Sequence, residues 1–102
     1  MTEAQDKQQT ERQRLVAALC SLQTPQEVEA LLTDLLTSRE IEDLSQRLEV
    51  ATMLSRGHSY LDVSRATGVS STTVSRVSKC LNGPAGGYRL VLSRLDNDPA
   101  AN

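Results

Sequence analysis

The spacing of apolar residues constrains the fold of this 102-residue chain more than any other feature. Apolar side chains recur every three or four positions, as in Ile41, Leu44 and Leu48, which places them on one face of a helix. No segment alternates polar and β-branched residues with the period of two that a half-buried strand requires. The sequence therefore predicts an all-α protein built from six helical segments.

Capping residues indicate where several of these helices begin. Thr24 and Thr37 each precede a glutamate by three residues, which is the pattern of a capping box. Ser59 and Ser70 are N-cap candidates for two short helices, and Gly68 lies in the turn between them. The helix limits are therefore set by local side chains rather than by composition alone.

The core of this protein must be small and aliphatic. The chain contains two tyrosines but no phenylalanine or tryptophan, so Leu, Val, Ile, Met and Ala must fill the interior. A core of this kind is marginal for a chain of this length. We therefore expect a single helical domain over residues 1–95 that is stabilised by oligomerisation, followed by a disordered tail over residues 96–102.

The sequence favours a cytoplasmic protein without metal or membrane segments. It has no apolar run of roughly 18 residues, and residues 1–14 lack the apolar stretch of a signal peptide.

Cys20 and Cys80 lie far apart and share no metal-ligand spacing, so both are expected to be free thiols. Cys80 is expected to be a semi-buried packing thiol, with oxidation sensing as the alternative. His58, the one histidine, is expected to be solvated or to cap a helix.

Charge is distributed unevenly along the chain. The net charge is −2, but residues 1–55 carry five basic and ten acidic residues. Residues 56–81 carry four basic residues against one acidic residue, a net charge of +3. Because a basic segment can bind a polyanion even in an acidic chain, the composition is compatible with nucleic-acid binding.

Residues 60–81 have the features of a helix-turn-helix. Gly68 allows a sharp turn, and small apolar residues are expected to pack the two helices together: Val63, Ala66, Val69, Val74 and Val77. The second helix leaves a polar outer face, whose predicted DNA-binding residues are Ser70, Ser71, Thr72, Ser75, Arg76 and Lys79. Hydroxyl groups can contact phosphates or base edges, and Arg76 can bind guanine through two hydrogen bonds or hold a phosphate. Lys79 and the backbone amide of Ser70 are expected to contact phosphates.

The same pattern also fits a pair of helices with no role in DNA binding. Short helices joined by a glycine turn occur in many all-α proteins, so the alternative is a helical module that docks on another regulator or on polymerase. Exposure of the basic segment as one patch would distinguish the two readings. An enzyme is disfavoured because the sequence shows no nucleophile–base pair, metal cluster or phosphate-cradling loop.

Several of these segments resemble the Trp repressor family. The matching positions are residues 35–40, Leu48, residues 54–57 and residues 73–76, and they are most similar to the YerC/YecD group of Trp-repressor-like bacterial proteins. The resemblance extends over about residues 31–81. It implies a six-helix protomer, an intertwined homodimer and regulation of transcription from a pseudo-palindromic operator. The two recognition helices would lie about 34 Å apart in successive major grooves.

The resemblance also implies an effector site, where the Trp repressor binds tryptophan. Its candidate residues here are Thr37, Arg47, Thr73 and Arg76. Val77 and Cys80 replace a glycine and a serine of the repressor, and branched Val77 intrudes on the space of an indole ring, so tryptophan is not the expected ligand. The two arginines would then hold a different small anion as corepressor, pair with glutamates or contact DNA, or Val77 would fill an empty site. No other cofactor is expected.

Overall fold

A computed structural model describes residues 2–97 of the chain. These residues form six α-helices and no strand, so the all-α prediction is confirmed for them. The helices are α1 (Glu3–Cys20), α2 (Pro25–Leu35), α3 (Ser38–Ser55), α4 (Tyr60–Thr67), α5 (Ser71–Leu81) and α6 (Gly87–Asp96). The predicted tail overlaps the last residue of α6, and its residues 98–102 lie outside the described part. The chain divides into two compact units, Met1–Ile41 and Glu42–Asn102, and the single domain over residues 1–95 stays a prediction.

The first unit begins with a capping box. The N–H of Gln5 donates to the hydroxyl of Thr2 over 3.3 Å, and the N–H of Thr2 donates to the side chain of Gln5 over 3.1 Å. Thr24 caps α2 as predicted, accepting the N–H of Glu27 over 3.2 Å. The carboxylate of Glu27 accepts the N–H of Gln23 over 2.9 Å, so the reciprocal bond forms one residue earlier than in a standard box. These local bonds fix where both helices begin.

Neither α1 nor α2 buries a residue within the single chain. Leu15, Val16 and Leu19 of α1 remain 44%, 54% and 47% exposed. Large apolar side chains at helical spacing usually pack against another element. This unit therefore carries an apolar helix surface that is left open to solvent in the single chain.

The second unit contains the core. Its buried residues come from four helices and are all aliphatic, as the sequence predicts: Val50, Ala51, Val63, Val74, Val77, Leu81 and Leu92. Met53, Leu54, Val69 and Tyr88 pack against them while remaining partly exposed. The cluster holds α5 against α4 and α6. It therefore fixes which side of α5 faces outward.

Some residues predicted to face inward are exposed. Ala66 is exposed, contrary to the prediction, because α4 reaches the core only through its central residue Val63. On α3, Leu44 and Leu48 are 44% and 36% exposed, whereas Ala51 is completely buried. On α5 the periodicity identified the buried side correctly, whereas on α3 and α4 it overestimated how much of the apolar side one chain covers.

Candidate nucleic-acid interface

The turn between α4 and α5 is held by local hydrogen bonds. Gly68 ends α4 in the left-handed region at φ 77°, and its N–H donates to the carbonyl of Ser64 over 2.9 Å. The hydroxyl of Ser64 donates to the carbonyl of Val69 over 2.7 Å. Ser70 caps α5 by accepting the N–H of Thr73 over 3.2 Å. The two helices therefore occupy residues 60–81, the range predicted for the helix-turn-helix.

The helix α5 has two contrasting sides. Val74, Val77 and Leu81 form its buried side. The predicted DNA-binding residues lie away from that side: Ser70, Ser71, Thr72, Arg76 and Lys79 are exposed, and Ser75 is half-buried. A helix advances 100° per residue, so Thr72 and Lys79 point almost directly away from the buried stripe. The arrangement presents hydroxyl and cationic groups on a continuous outer surface.

The cations of this surface are available to an external anion. In the described part of the chain, Arg65, Arg76 and Lys79 are exposed and form no ion pair. Arg56 differs, because its Nη2 lies 3.5 Å from Oδ1 of Asp96. Both partners are more than half exposed, so this pair contributes little to stability. Of the four basic residues of segment 56–81, three therefore have no internal counter-charge among residues 2–97.

A small pocket lies along one flank of α5. Its volume is about 200 Å³, and its lining consists of Arg47, Thr73, Arg76, Val77, Cys80 and Tyr88. The α5 residues among them follow the spacing i, i+3, i+4 and i+7 of one helix face. Three of the four predicted effector-site residues are therefore together. Tyr88 is an additional wall that the sequence did not indicate, because it reaches the pocket from α6.

Thr37, the fourth predicted effector residue, has a structural role in the first unit. Its hydroxyl accepts the N–H of Glu40 over 3.1 Å, and its own N–H donates to the Glu40 carboxylate over 2.9 Å. This is the capping box that the sequence predicts for α3. Pairing of Arg47 or Arg76 with a glutamate, one alternative from the sequence, does not occur among residues 2–97.

The two residues that depart from the Trp repressor pattern differ in exposure. Val77 is 4% exposed and forms the inner wall of the pocket. Cys80 is exposed, so the prediction of a semi-buried packing thiol is wrong. The reason is its position one residue before Leu81, which turns the thiol about 100° away from the buried stripe. Cys20, in α1, is exposed as well.

A contact between α4 and α5 escaped the sequence reasoning. The hydroxyl of Tyr60 donates a hydrogen bond to Oγ of Ser78, eighteen residues later. Near it, the side chain of Asn82 donates to the carbonyl of Ser78 over 2.9 Å, and Arg89 donates to the carbonyl of Leu81 over 2.5 Å. The one available signal was the position of Tyr60, a rare aromatic residue placed one turn before Val63.

The described residues form no group of three or more His, Cys, Asp or Glu side chains that could hold a metal ion. Within the same range, no helix is long and apolar enough to cross a membrane. His58 is exposed and borders a second depression, together with Tyr60 and Asn82.

Comparison with known proteins identifies the family. The profile of the Trp repressor protein family matches residues 10–96. YerC of Bacillus subtilis (strain 168) is 40% identical over 85 residues, which are 83% of this chain and 82% of YerC. A TrpR-like protein from Eubacterium eligens superimposes with a TM-score of 0.78 at 41% identity, covering 83% of this chain and 88% of its own. A Staphylococcus aureus protein, provisionally assigned as a Trp repressor, superimposes with a TM-score of 0.82 at 30% identity, covering 96% and 98%. The resemblance seen in residues 31–81 is thereby confirmed and extended, and this chain belongs to the Trp repressor family.

Proposed function

We propose that this chain is a cytoplasmic regulator of transcription that binds a specific sequence of duplex DNA as a homodimer, with α5 as its recognition helix. The observation that carries the proposal is the outer side of α5, which is exposed, rich in hydroxyl groups and lined by two unpaired cations among the described residues. It occurs in a member of a repressor family. That membership favours a regulatory role over an enzymatic one.

Each exposed group of α5 has a chemistry suited to DNA. The guanidinium of Arg76 offers two parallel N–H donors, which match the O6 and N7 acceptors of guanine in the major groove. Ser71 and Thr72, in the first turn, can donate to and accept from base edges. Lys79, a point charge near the end of the helix, is suited to a phosphate. The helix thus combines base readout with backbone contacts.

The homodimer is proposed from the apolar surface that one chain leaves open. Besides the α1 residues described above, α6 exposes Leu90, Val91 and Leu95 at 52%, 43% and 40%. Burying a large aliphatic side chain contributes about 1.5–3 kcal/mol, so covering two such surfaces strongly favours association. A second copy of the chain would supply the cover, and a twofold dimer implies a pseudo-palindromic site with half-sites about 34 Å apart.

We propose that the pocket beside α5 accepts a small anion rather than tryptophan. Ligand pockets for organic molecules usually measure about 300–1,000 Å³, and this one is about 200 Å³, with the side chain of Val77 in its wall. Arg47 and Arg76 supply the positive charge, and Thr73 supplies a hydroxyl. Because Arg76 borders both the pocket and the outer side of α5, an anion bound there would compete with DNA for it or fix its orientation.

Selection from a randomised duplex library at near-physiological salt tests the main proposal. The wild type should enrich a palindromic sequence, and Arg76→Ala should lose that enrichment while remaining a folded dimer. Arg94→Ala is the matched control, because it removes the same exposed charge from α6, outside the basic segment. Enrichment by Arg76→Ala equal to the wild type would contradict the assignment of Arg76. A folded wild-type dimer that enriches nothing would instead favour a helical interaction module that docks on another regulator or on polymerase.

A further inference from the structure

The helices α4 and α5 form a V, with one side-chain hydrogen bond at the turn and another at the open end. At the turn, the hydroxyl of Ser64 in α4 donates to the carbonyl of Val69, and the left-handed conformation of Gly68 reverses the direction of the chain. At the open end, the hydroxyl of Tyr60, the first residue of α4, donates to Oγ of Ser78 in the last turns of α5. Within residues 2–97 this is the side-chain hydrogen bond that joins the two helices directly.

Apolar packing between α4 and α5 is less complete at the open end than in the middle. Val63 and Val74 fill the middle of the V and are completely buried, but the ring of Tyr60 is 50% exposed. Tyr60 lies one turn before Val63, and Ser78 lies one turn after Val74, so their bond continues the packed line beyond the core. At this end, where apolar burial is incomplete, the two helices are joined by a hydrogen bond between two hydroxyl groups.

We propose that Tyr60 is a positioning residue for DNA recognition: its hydrogen bond to Ser78 sets the angle at which α5 is presented. This inference rests on the proposed function. Tyr60 belongs to α4 and is not part of the proposed DNA-binding surface of α5. Its effect on DNA binding would be transmitted through its hydrogen bond to Ser78. Ser78 is itself on the flank of α5 opposite to Cys80, because two residues correspond to 200° of rotation.

Geometry indicates the size of the effect. Arg76 lies five residues beyond Ser71, about 7.5 Å along the helix, so a 10° change at the turn would move it by about 1.3 Å. Hydrogen bonds to base edges require donor–acceptor distances of about 2.7–3.2 Å, so a displacement of about 1.3 Å breaks those made by Arg76. Phosphate contacts by flexible lysine side chains tolerate such a displacement much better. Loss of the Tyr60 bond should therefore reduce specific binding more than non-specific binding.

The test compares Tyr60→Phe, Ser78→Ala and the double variant as full-length dimers. Each binds the duplex selected by the wild type and a scrambled duplex of equal length. We expect Tyr60→Phe to lower the ratio of specific to non-specific affinity by about two- to tenfold for each half-site, the range that one net hydrogen bond per subunit supplies. Ser78→Ala should lower it equally, and the double variant should lose no more than either single variant. Ser78→Thr, which keeps the hydroxyl, should retain the ratio, and Ser93→Ala on α6 controls for loss of a serine hydroxyl elsewhere.

The outcomes separate this inference from the proposed function. An unchanged ratio in Tyr60→Phe, while the wild type still selects a duplex, overturns the inference alone. A loss in Tyr60→Phe with none in Ser78→Ala also overturns it, because Tyr60 would then act on DNA directly. A wild type that selects no duplex overturns both. Hydrogen exchange in the free protein gives an independent reading: the amides of residues 78–81 should exchange faster in Tyr60→Phe, and unchanged rates contradict the proposal.

Discussion

Replacing Gly68 by alanine tests the conformation of the turn without a steric complication. Gly68 has a φ of 77°, yet a Cβ placed there would meet no atom within 4 Å. The cost is therefore backbone strain alone, about 1–2 kcal/mol for a left-handed alanine. Alanine also reduces the conformational entropy of the unfolded chain, which stabilises the folded state by about 0.4–1 kcal/mol. The net expectation is a loss of about 1 kcal/mol.

Gly87→Ala is the matched control. A Cβ at Gly87 also meets no atom within 4 Å, but Gly87 begins α6 and its φ is not positive. At Gly87, alanine reduces the conformational entropy of the unfolded chain without straining the folded backbone. Gly87→Ala should therefore be neutral or stabilising by up to about 1 kcal/mol. Gly68→Ala should therefore lower the free energy of unfolding, and Gly87→Ala should not.

Urea or thermal unfolding at one fixed protein concentration measures the difference, since the stability of a dimer depends on concentration. For a chain of this size, 1 kcal/mol corresponds to about 4–8 °C in Tm. Gly68→Asn should recover part of the loss, because asparagine tolerates the left-handed region better than alanine. A Gly68→Ala protein as stable as Gly87→Ala would refute the argument that the turn requires a left-handed residue.

Three further predictions concern α5 and its pocket. Lys79→Ala should weaken binding to all duplexes alike and reduce the slope of log K against log salt by about two, because the proposed dimer carries two copies of Lys79, and an unchanged slope would exclude a phosphate contact. Calorimetric titration with tryptophan should show no micromolar binding because the pocket lined by Val77 has a volume of only about 200 Å³, whereas a micromolar affinity would contradict this reading. Ser70→Ala should lower the free energy of unfolding by about 0.5–2 kcal/mol through loss of the α5 cap. Ser71→Ala, which removes no cap, should change it little. Chemical denaturation measures both variants, and equal effects would show that the cap is unimportant.

Features that depend on neighbours in sequence were predictable. The bond between Thr37 and Glu40 joins residues three apart, and Ser59 and Ser70 accept N–H groups three residues ahead. Such contacts need only one turn of helix, so the sequence contains all the information required. The limits of α4 and α5, and with them the polar outer side of α5, followed from these local rules.

Features that depend on tertiary packing were not. The exposure of Ala66 depends on how far α4 extends beyond its contact with the core, and periodicity says nothing about that distance. The bond between Tyr60 and Ser78 joins residues eighteen apart through the angle between two helices. The pocket wall formed by Tyr88 depends in the same way on the placement of α6. These features became visible only once the helices were placed relative to one another in the second unit.

The two-sided character of α5 has a consequence for how proteins of this kind diverge. Substitutions on an exposed helix side usually change stability by no more than about 0.5 kcal/mol, whereas changes at buried positions such as Val74 are felt throughout a small core. Ser71 and Thr72, which are exposed, can therefore vary while the valine side keeps the helix in place. Under the proposed function, changes at these two positions would give new DNA targets without a new fold, and a library randomised at both would explore the same space in the laboratory.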